Sequence, residues 1–224
     1  MIFETLKFWV NCLNPENFQK IMEENKGKEN LKDAVKTIFF SSLVPAIGVA
    51  IYISVLGLLF GAVLGTLLGR LTNPDGSGFG GIFGLGIGAM AAVFGIGIAV
   101  FSIIVAPIGF LIGQGISWTI AKLLGGKGSY TSQTYFASYA HPGYAVLSIL
   151  VFIPCIGNIV ALILGLLYLY LTFLLLKKVH ELDALRAIAV IVIPTLVVIA
   201  IYVLIWLLIY IPIMSSSAIA NRMN

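Results

Sequence analysis

Two long stretches of the chain, at 38–69 and 78–121, contain no charged residue. A helix crosses the hydrocarbon core of a bilayer with about 20 apolar residues, so each stretch exceeds that length. Hydrophobic residues make up 60% of the 224, and charged residues make up 10%, whereas soluble domains carry about 25% charged residues. A soluble fold of this size could not bury so much apolar surface. The sequence therefore predicts an integral membrane protein made of α-helices.

Three further apolar segments follow at 134–153, 159–176 and 187–214. The first two of these are predicted to form a hairpin around a short turn. The uncharged stretch 78–121 allows two interpretations, because it could form one long helix kinked at Pro107 or two short spans that fold back there. The predicted fold class is all-α, a polytopic membrane helix bundle, and the number of spans depends on this stretch.

The positions of lysine and arginine distinguish five spans from six, because short cytosolic loops carry an excess of these residues. With six spans, the 13 residues divide seven against six, which is hardly a bias. With five spans and a cytosolic N-terminus, only Arg70 and Arg222 lie outside. We therefore predict five transmembrane helices, the second unusually long. The cytosolic set would be Lys7, Lys20, Lys26, Lys28, Lys32, Lys36, Lys122, Lys127, Lys177, Lys178 and Arg186.

The chain is predicted to divide into a cytosolic or interfacial segment at 1–36, a transmembrane domain at 37–214 and a polar tail at 215–224. Apolar residues recur at helical spacing within 2–13, which is typical of a short amphipathic helix. Such a helix could lie in the membrane interface, or it could pack on the cytosolic end of the bundle. The sequence gives these two alternatives equal weight.

Polar residues and glycines mark the ends of the predicted helices. Asn14 followed by Pro15 is typical of an N-cap and a first helical turn, and Gly27 would end that short helix. Asn30 is predicted to begin the helix of the first span, and Asp183 the helix of the last.

Glycine recurs every four residues along the first span, and the pattern continues on the second. Small residues let transmembrane helices approach closely. We predict that these glycines pack the first two spans against each other; a contact between two copies of the chain and a glycine-lined pore are the alternatives. The predicted helix-packing residues are Gly57, Gly61, Gly65, Gly69, Gly84, Gly88, Gly109 and Gly113.

The predicted spans contain few polar side chains that could take part in catalysis or ligand binding. Gln114 is the most polar side chain placed deep in a span, and the hydroxyl side chains in the spans are expected to bond to carbonyls of their own helices. His141 and His180 are interpreted as hydrogen-bonded residues near the cytosolic ends of spans. Residues 125–129 fail the P-loop pattern, because Lys127 is followed by glycine. The sequence therefore predicts no catalytic residue, metal site or cofactor, and no enzyme.

Four short motifs follow one another in the second half of the chain. They are a glycine-rich loop at 123–130, an entry to the third span at 139–142, a turn at 153–157 and a charged loop at 178–187. Their order and spacing resemble the Yip family, the Ypt/Rab-GTPase-interacting membrane proteins, in a compact form like the prokaryotic members. The residues that carry this resemblance are Gly125, Gly126, Lys127, Gly128, Ser129, Pro142, Pro154, Gly157, His180, Arg186 and Ala187.

The resemblance implies a five-span bundle with a cytosolic N-terminus and a role that is not enzymatic. Eukaryotic members act in vesicle traffic, bind Rab-type GTPases, associate with one another and have been linked to membrane shaping. The short N-terminal segment at 1–36 differs from their long disordered tails, which weakens the expectation of GTPase binding.

The leading functional hypothesis is a membrane scaffold or adaptor that acts through protein and lipid contacts at its cytosolic face. The expected partners are membrane lipids, a second copy of the chain or other membrane and GTPase proteins, and no nucleic acid. The expected location is a multi-pass position in the membrane, the plasma membrane if the protein is prokaryotic. The alternative is a small channel, permease or lipid-handling protein, which would need a polar path or a lipid-sized cavity between spans.

Overall fold

The computed structural model describes the backbone of residues 2–72 and 79–223 and the side chains of residues 7–71 and 82–208. Within these ranges the chain is all-helical, as the sequence predicts. A short 3-10 helix, Ser148–Phe152, extends α5. The α-helices are α1 (Ile2–Asn11), α2 (Pro15–Glu24), α3 (Leu31–Thr72), α4 (Phe79–Leu123), α5 (Tyr130–Leu147), α6 (Gly157–His180) and α7 (Ala184–Met223).

Four helices, α3, α4, α6 and α7, are long and apolar enough to cross a membrane. The third predicted span corresponds to α5, which is shorter and more polar than these four. Ten of its residues are buried among neighbouring helices, including Gln133, Thr134 and Ser138. Because protein surrounds α5, its polar side chains avoid the cost of facing lipid.

Residues 79–123 form one continuous helix that contains Pro107. The interpretation of this stretch as two spans that fold back at Pro107 is therefore wrong. Pro45 likewise lies inside α3 and does not end it. A proline removes one backbone hydrogen bond, but neighbouring groups within a bundle can compensate for that loss.

Glycines bring the backbones of α3 and α4 into contact. A Cβ atom added at Gly61 would overlap the carbonyl oxygen of Gly84, and one added at Gly84 would overlap that of Gly61. A Cβ at Gly57 would overlap Ala91, and one at Gly88 would lie 2.7 Å from Leu58. The stripe is therefore occupied within the chain, which disfavours its use between two copies.

Gly109 and Gly113 do not share this role. A Cβ atom at either position would meet nothing within 4 Å, so the expectation that they pack against another helix is wrong within this chain. They share an exposed surface of α4 with Ile108 and Ile112, whose exposed fractions are 52% and 59%. The GxxxG spacing is present there, but no residue in the described part of the chain lies within contact distance of a Cβ at either glycine.

The α5–α6 hairpin reaches only part of the way along α3. The ring of Phe152, at the end of the 3-10 helix, stacks on Tyr52 near the middle of α3, with centroids 4.9 Å apart. Beyond that point α3 continues to Thr72 beside the first half of α4. The α3–α4 pair therefore extends past the turn that joins α5 to α6.

The structure has helix ends at the residues predicted from the sequence. Asn14 Oδ1 accepts a hydrogen bond from the Glu16 N–H at 2.9 Å, and Gly27 follows α2 with a φ of +85°. Asn30 is the residue before α3 begins, and its Oδ1 accepts a hydrogen bond from the Lys32 N–H at 2.9 Å.

The N-terminal helices pack on α5 and α6. Leu13, Phe18 and Met22 share one buried cluster with residues of both helices. A Cβ atom at Gly143 of α5 would overlap the carbonyl oxygen of Trp9, so α1 lies directly against α5. Of the two alternatives for this segment, the contacts favour packing on the bundle over a separate helix in the interface.

Candidate functional site

The candidate site lies where the α4–α5 loop meets the end of α6. We call it the loop face and define it as residues 125–129, residues 181–183 and the α2 end at 23–26. Gly125 ends α4 with a φ of +90°, a conformation that glycine adopts without a steric penalty. The loop then runs across α6, because the Lys127 N–H donates to the His180 carbonyl oxygen at 3.0 Å.

Two glycines let the loop backbone lie flat on α6. A Cβ atom at Gly126 would lie 2.8 Å from both the Ala121 carbonyl oxygen and His180 Nδ1. A Cβ atom at Gly128 would lie 2.6 Å from the Val179 carbonyl oxygen. Any other residue at these positions would push the loop away from the helix, which explains the glycine-rich sequence better than a phosphate site does.

Side chains of neighbouring helices hold the outer side of the loop. Lys122 Nζ donates to the Lys127 carbonyl oxygen at 3.1 Å, and Trp118 Nε1 donates to the Gly128 carbonyl oxygen at 3.3 Å. From α7, an Arg186 guanidinium N–H donates to the Leu124 carbonyl oxygen at 3.3 Å. The loop is therefore tied to α4, α6 and α7 together.

Beneath the loop lies a chain of three polar side chains, of which His180 and Gln133 are buried and Gln114 is partly buried. His180, fully buried, has its Nε2 2.7 Å from Gln133 Oε1. Gln133 Nε2 in turn donates to Gln114 Oε1 at 2.8 Å and to the Gln114 carbonyl oxygen at 3.1 Å. An amide oxygen can only accept, so His180 carries its proton on Nε2 in this arrangement. Its Nδ1 and Thr134 Oγ1 are buried side-chain atoms without a hydrogen-bond partner in the described structure.

Ion pairs on the loop face connect elements far apart in sequence. Lys127 Nζ lies 2.8 Å from Glu181 Oε2, and Lys178 pairs with Glu23 of α2. The Lys178 ammonium holds the pKa of the Glu23 carboxyl below its usual value of 4.5, and Lys127 does the same for Glu181. All four groups are at least a third exposed, so each pair contributes little to stability.

A cleft of ≈ 330 Å³ opens between the ends of α2, α5 and α6 at the loop face. That volume falls in the range of about 300–1,000 Å³ that is typical of small-molecule pockets. Charges of both signs and an apolar floor line it. The lining residues are Met22, Glu23, Lys26, Glu29, Ser132, Phe136, Lys178, Val179 and Glu181.

The structure brings together two of the four sequence motifs. The glycine-rich loop and the charged loop meet at the loop face, where Ser129 caps α5 by accepting from the Ser132 N–H at 3.0 Å. Asp183 caps α7 as predicted, accepting from the Arg186 N–H at 2.8 Å, and Ala187 is fully buried against α4 and α6.

The other two motifs lie elsewhere. Pro142 is buried within α5. Pro154 lies in the turn before α6 and Gly157 is the first residue of α6, at the opposite end of that helix from the loop face. A Cβ atom at Gly157 would overlap the Val151 carbonyl oxygen, so glycine permits the tight turn there.

The interpretation of His141 as an interfacial residue needs correction. His141 lies in the second half of α5, where its Nδ1 is 2.9 Å from Ser41 Oγ of α3 and its ring meets Phe110 of α4 edge-on. Three helices therefore converge on this side chain, which places it inside the bundle.

The sequence did not predict the hydrogen-bond partner of His180 or the ion-pair partner of Lys178. Gln133 lies in the polar first turn of α5, one residue before the predicted span at 134–153, and Glu23 lies 155 residues from Lys178. A glutamine beside a predicted span is the one available signal, since a buried amide requires partners. Ser102, Thr172 and Thr195 bond to carbonyls of their own helices, as expected.

Among the described residues, no group of three or more histidine, cysteine, aspartate or glutamate side chains is arranged to hold a metal ion.

The chain was compared with protein-family models, and the model of the Yip1 domain matches residues 14–207. The chain belongs to the Yip family. The match spans α2 through α6 and most of the described part of α7, including the loop face.

Comparison of this Yip-family protein with curated proteins and with solved structures gave no match. Membership of the Yip family together with four membrane-length apolar helices identifies it as an integral membrane protein. Yip-family proteins are generally not enzymes.

Proposed function

We propose that this Yip-family protein is a membrane scaffold or adaptor whose cytosolic loop face docks a partner. The observation that carries the proposal is the cleft of ≈ 330 Å³, which is built by packing the N-terminal α2 onto the ends of α5 and α6. Its lining offers charged groups at the rim and Phe136 and Met22 beneath, a combination suited to anchoring a protein segment.

The proposal includes five spans with the loop face in the cytosol. Lys36, Lys122, Lys178 and Arg186 lie at or near the loop-face ends of α3, α4, α6 and α7, whereas Arg70 lies at the far end of α3. This asymmetry supports a cytosolic loop face. Besides the four long apolar helices, the proposal takes α5 with its 3-10 extension as the third span in chain order; together they reach roughly 37 Å.

Lipid contacts form the second part of the proposed role. Exposed lysines surround the loop face at positions 20, 26, 28, 32 and 36. Each basic residue near an anionic membrane surface contributes about 1 kcal/mol of attraction. These lysines therefore favour anionic headgroups of the cytosolic leaflet beside a docked partner.

The two native cysteines test the proposed topology. Cys155 is exposed in the α5–α6 turn, and Cys12 is buried. A membrane-impermeant maleimide added to intact cells should label Cys155, and the labelling should disappear in Cys155→Ser. In Cys155→Ser/Glu181→Cys, labelling should require lysed cells. Outside labelling of Glu181→Cys, or no labelling of Cys155, would contradict the five-span arrangement.

The docking role is tested by site-specific photo-crosslinking in membranes. A photoreactive residue at Glu29, in the cleft, should trap a defined protein that the same residue at Asn158, at the far turn, does not trap. Charge reversal in Glu23→Lys or Lys178→Glu should reduce the yield, and the double reversal should restore it, because α2 must stay paired with α6. Equal capture from both positions would exclude the cleft as the docking site.

The alternative of a channel or permease requires a continuous polar path through the bundle. In the described residues, the cleft at the loop face and a second cavity between α3, α4 and α5 share no lining residue. Ion or solute flux through liposomes containing the purified protein would favour this alternative over a scaffold.

A further inference from the structure

A second, half-open cavity of ≈ 230 Å³ lies between α3, α4 and α5, away from the loop face. Its apolar lining consists of small side chains such as Ala46 and Ala106. Polar groups are costly in membrane-spanning segments and often mark functional sites there. This cavity contains five of them, Ser42, Ser102, Ser148, His141 and Tyr144.

The three serines can only accept a hydrogen bond from a molecule in the cavity. A hydroxyl group has one proton and two lone pairs, and each of these serines already donates its proton to a carbonyl oxygen of its own helix segment. The bonds run from Ser42 to Phe39 at 2.8 Å, from Ser102 to Ile98 at 2.7 Å and from Ser148 to Ala145 at 2.7 Å.

His141 adds a fourth acceptor. Ser41 Oγ donates to the Ile38 carbonyl oxygen at 3.0 Å, which uses its single proton. Both contacts of Ser41 are satisfied in the tautomer in which His141 Nδ1, 2.9 Å from Ser41 Oγ, donates to that oxygen. A neutral imidazole has one N–H, so Nε2 of His141 is left with a lone pair. Tyr144 alone among the polar lining residues retains a hydroxyl proton that no hydrogen bond to another described residue uses.

We propose that this cavity binds an uncharged, membrane-dissolved lipid through a free hydroxyl group that donates to His141 Nε2. The lining contains no aspartate, glutamate, lysine or arginine, so a charged headgroup would be buried without a counter-ion. The volume lies below the range of about 300–1,000 Å³ for drug-sized ligands. The cavity therefore takes the hydroxyl end of a slim chain, and a whole two-chain lipid does not fit.

The test compares two photoreactive probes on the purified protein in lipid nanodiscs. One is a long-chain alcohol with a diazirine beside the hydroxyl end, and the other is its methyl ether, which can accept but cannot donate. The alcohol should label peptides that contain Ser102 or Tyr144 about five-fold more than the ether does, as expected for one hydrogen bond. Equal labelling, or no labelling above that of peptides from α7, would overturn the proposal.

Three variants locate the interaction. His141→Leu should lower alcohol labelling to the level of the ether, and Ala106→Leu, which fills the cavity, should lower labelling by both probes. Thr195→Val is the matched control, because its hydroxyl also bonds to its own helix but lies outside the cavity. Unchanged labelling in a folded Ala106→Leu protein would contradict the proposed site. If a variant does not fold, the alcohol-to-ether comparison on the unmodified chain still decides.

Discussion

Nε2 of His180 and Oε1 of Gln133 lie 2.7 Å apart, in a buried hydrogen bond that joins the last residue of α6 to the first turn of α5. The same histidine supports the α4–α5 loop, because Lys127 donates to its backbone carbonyl and Gly126 packs on its ring. One residue, through its side chain and its backbone carbonyl, thus fixes the relative positions of two helices and the loop that precedes one of them. The geometry of the loop face depends on this contact.

Removing one partner of the hydrogen bond is predicted to cost more than removing both. Gln133→Leu leaves a buried imidazole N–H without an acceptor, which should lower the free energy of unfolding by about 1–3 kcal/mol. Gln133→Leu/His180→Leu should recover part of that loss, because neither polar group is then left unpaired. Thermal unfolding of the unmodified protein, both single variants and the double variant in one detergent gives the double-mutant cycle. Strictly additive effects would show that the two side chains do not stabilise each other.

The α3–α4 contact predicts opposite outcomes for two similar glycine substitutions. Gly61→Ala places a methyl group against the Gly84 carbonyl oxygen, so the helices must separate and the melting temperature should fall. Gly113→Ala, also inside a helix, meets nothing within 4 Å. It should be neutral or stabilise by up to about 1 kcal/mol, because alanine favours the helix. Equal decreases in melting temperature for both variants would indicate that Gly113 packs against another molecule.

Acidification is predicted to weaken the contact between α2 and α6 slightly. Lys178 lowers the pKa of Glu23 below 4.5, its value when unpaired, so the pair stabilises the docked state above pH 4.5. That contribution is lost as the pH falls through the lowered pKa of the folded state. The protection factors of α2 amides, which correct observed exchange for its slower intrinsic rate in acid, should therefore fall below pH 4.5.

In Glu23→Gln, the exchange of α2 amides should already be faster at neutral pH, because the ion pair is absent. The further decrease in their protection factors below pH 4.5 should then be smaller. A pH profile identical to that of the unmodified protein would exclude Glu23 as its source.

Cys12 is predicted to be nearly inert towards thiol reagents in the folded protein. The residue is fully buried, and desolvation raises its pKa to about 11 from an ordinary 9.0. Its thiolate fraction at pH 8 should then be about 100-fold below that of an ordinary thiol. Labelling kinetics of Cys155→Ser in detergent measure Cys12 alone, and Phe18→Ala, which opens the cluster beneath α2, should accelerate the reaction. Fast labelling in folded Cys155→Ser protein would place α1 away from the bundle.

The sequence by itself, through local physical chemistry, determined where several helices of this protein begin and end. The uncharged stretch from 78 to 121 exceeds what one bilayer crossing needs, and the charge count argued against dividing it; the structure has one helix there, α4. Asn14, Asn30 and Asp183 cap helices because a short polar side chain before a helix satisfies its free N–H groups. Gly125 ends α4 for an equally local reason, since its positive φ suits glycine.

Only the tertiary structure decided which side chains meet. Nothing in the sequence distinguishes Gly84, which lies against Gly61, from Gly113, which faces open space, because spacing gives a helical face but not its neighbour. His141 meets Ser41 across 100 residues, and Glu23 meets Lys178 across 155. Such contacts depend on how the apolar helices pack around α5, where burial and backbone fit select among many helix pairings of similar hydrophobicity.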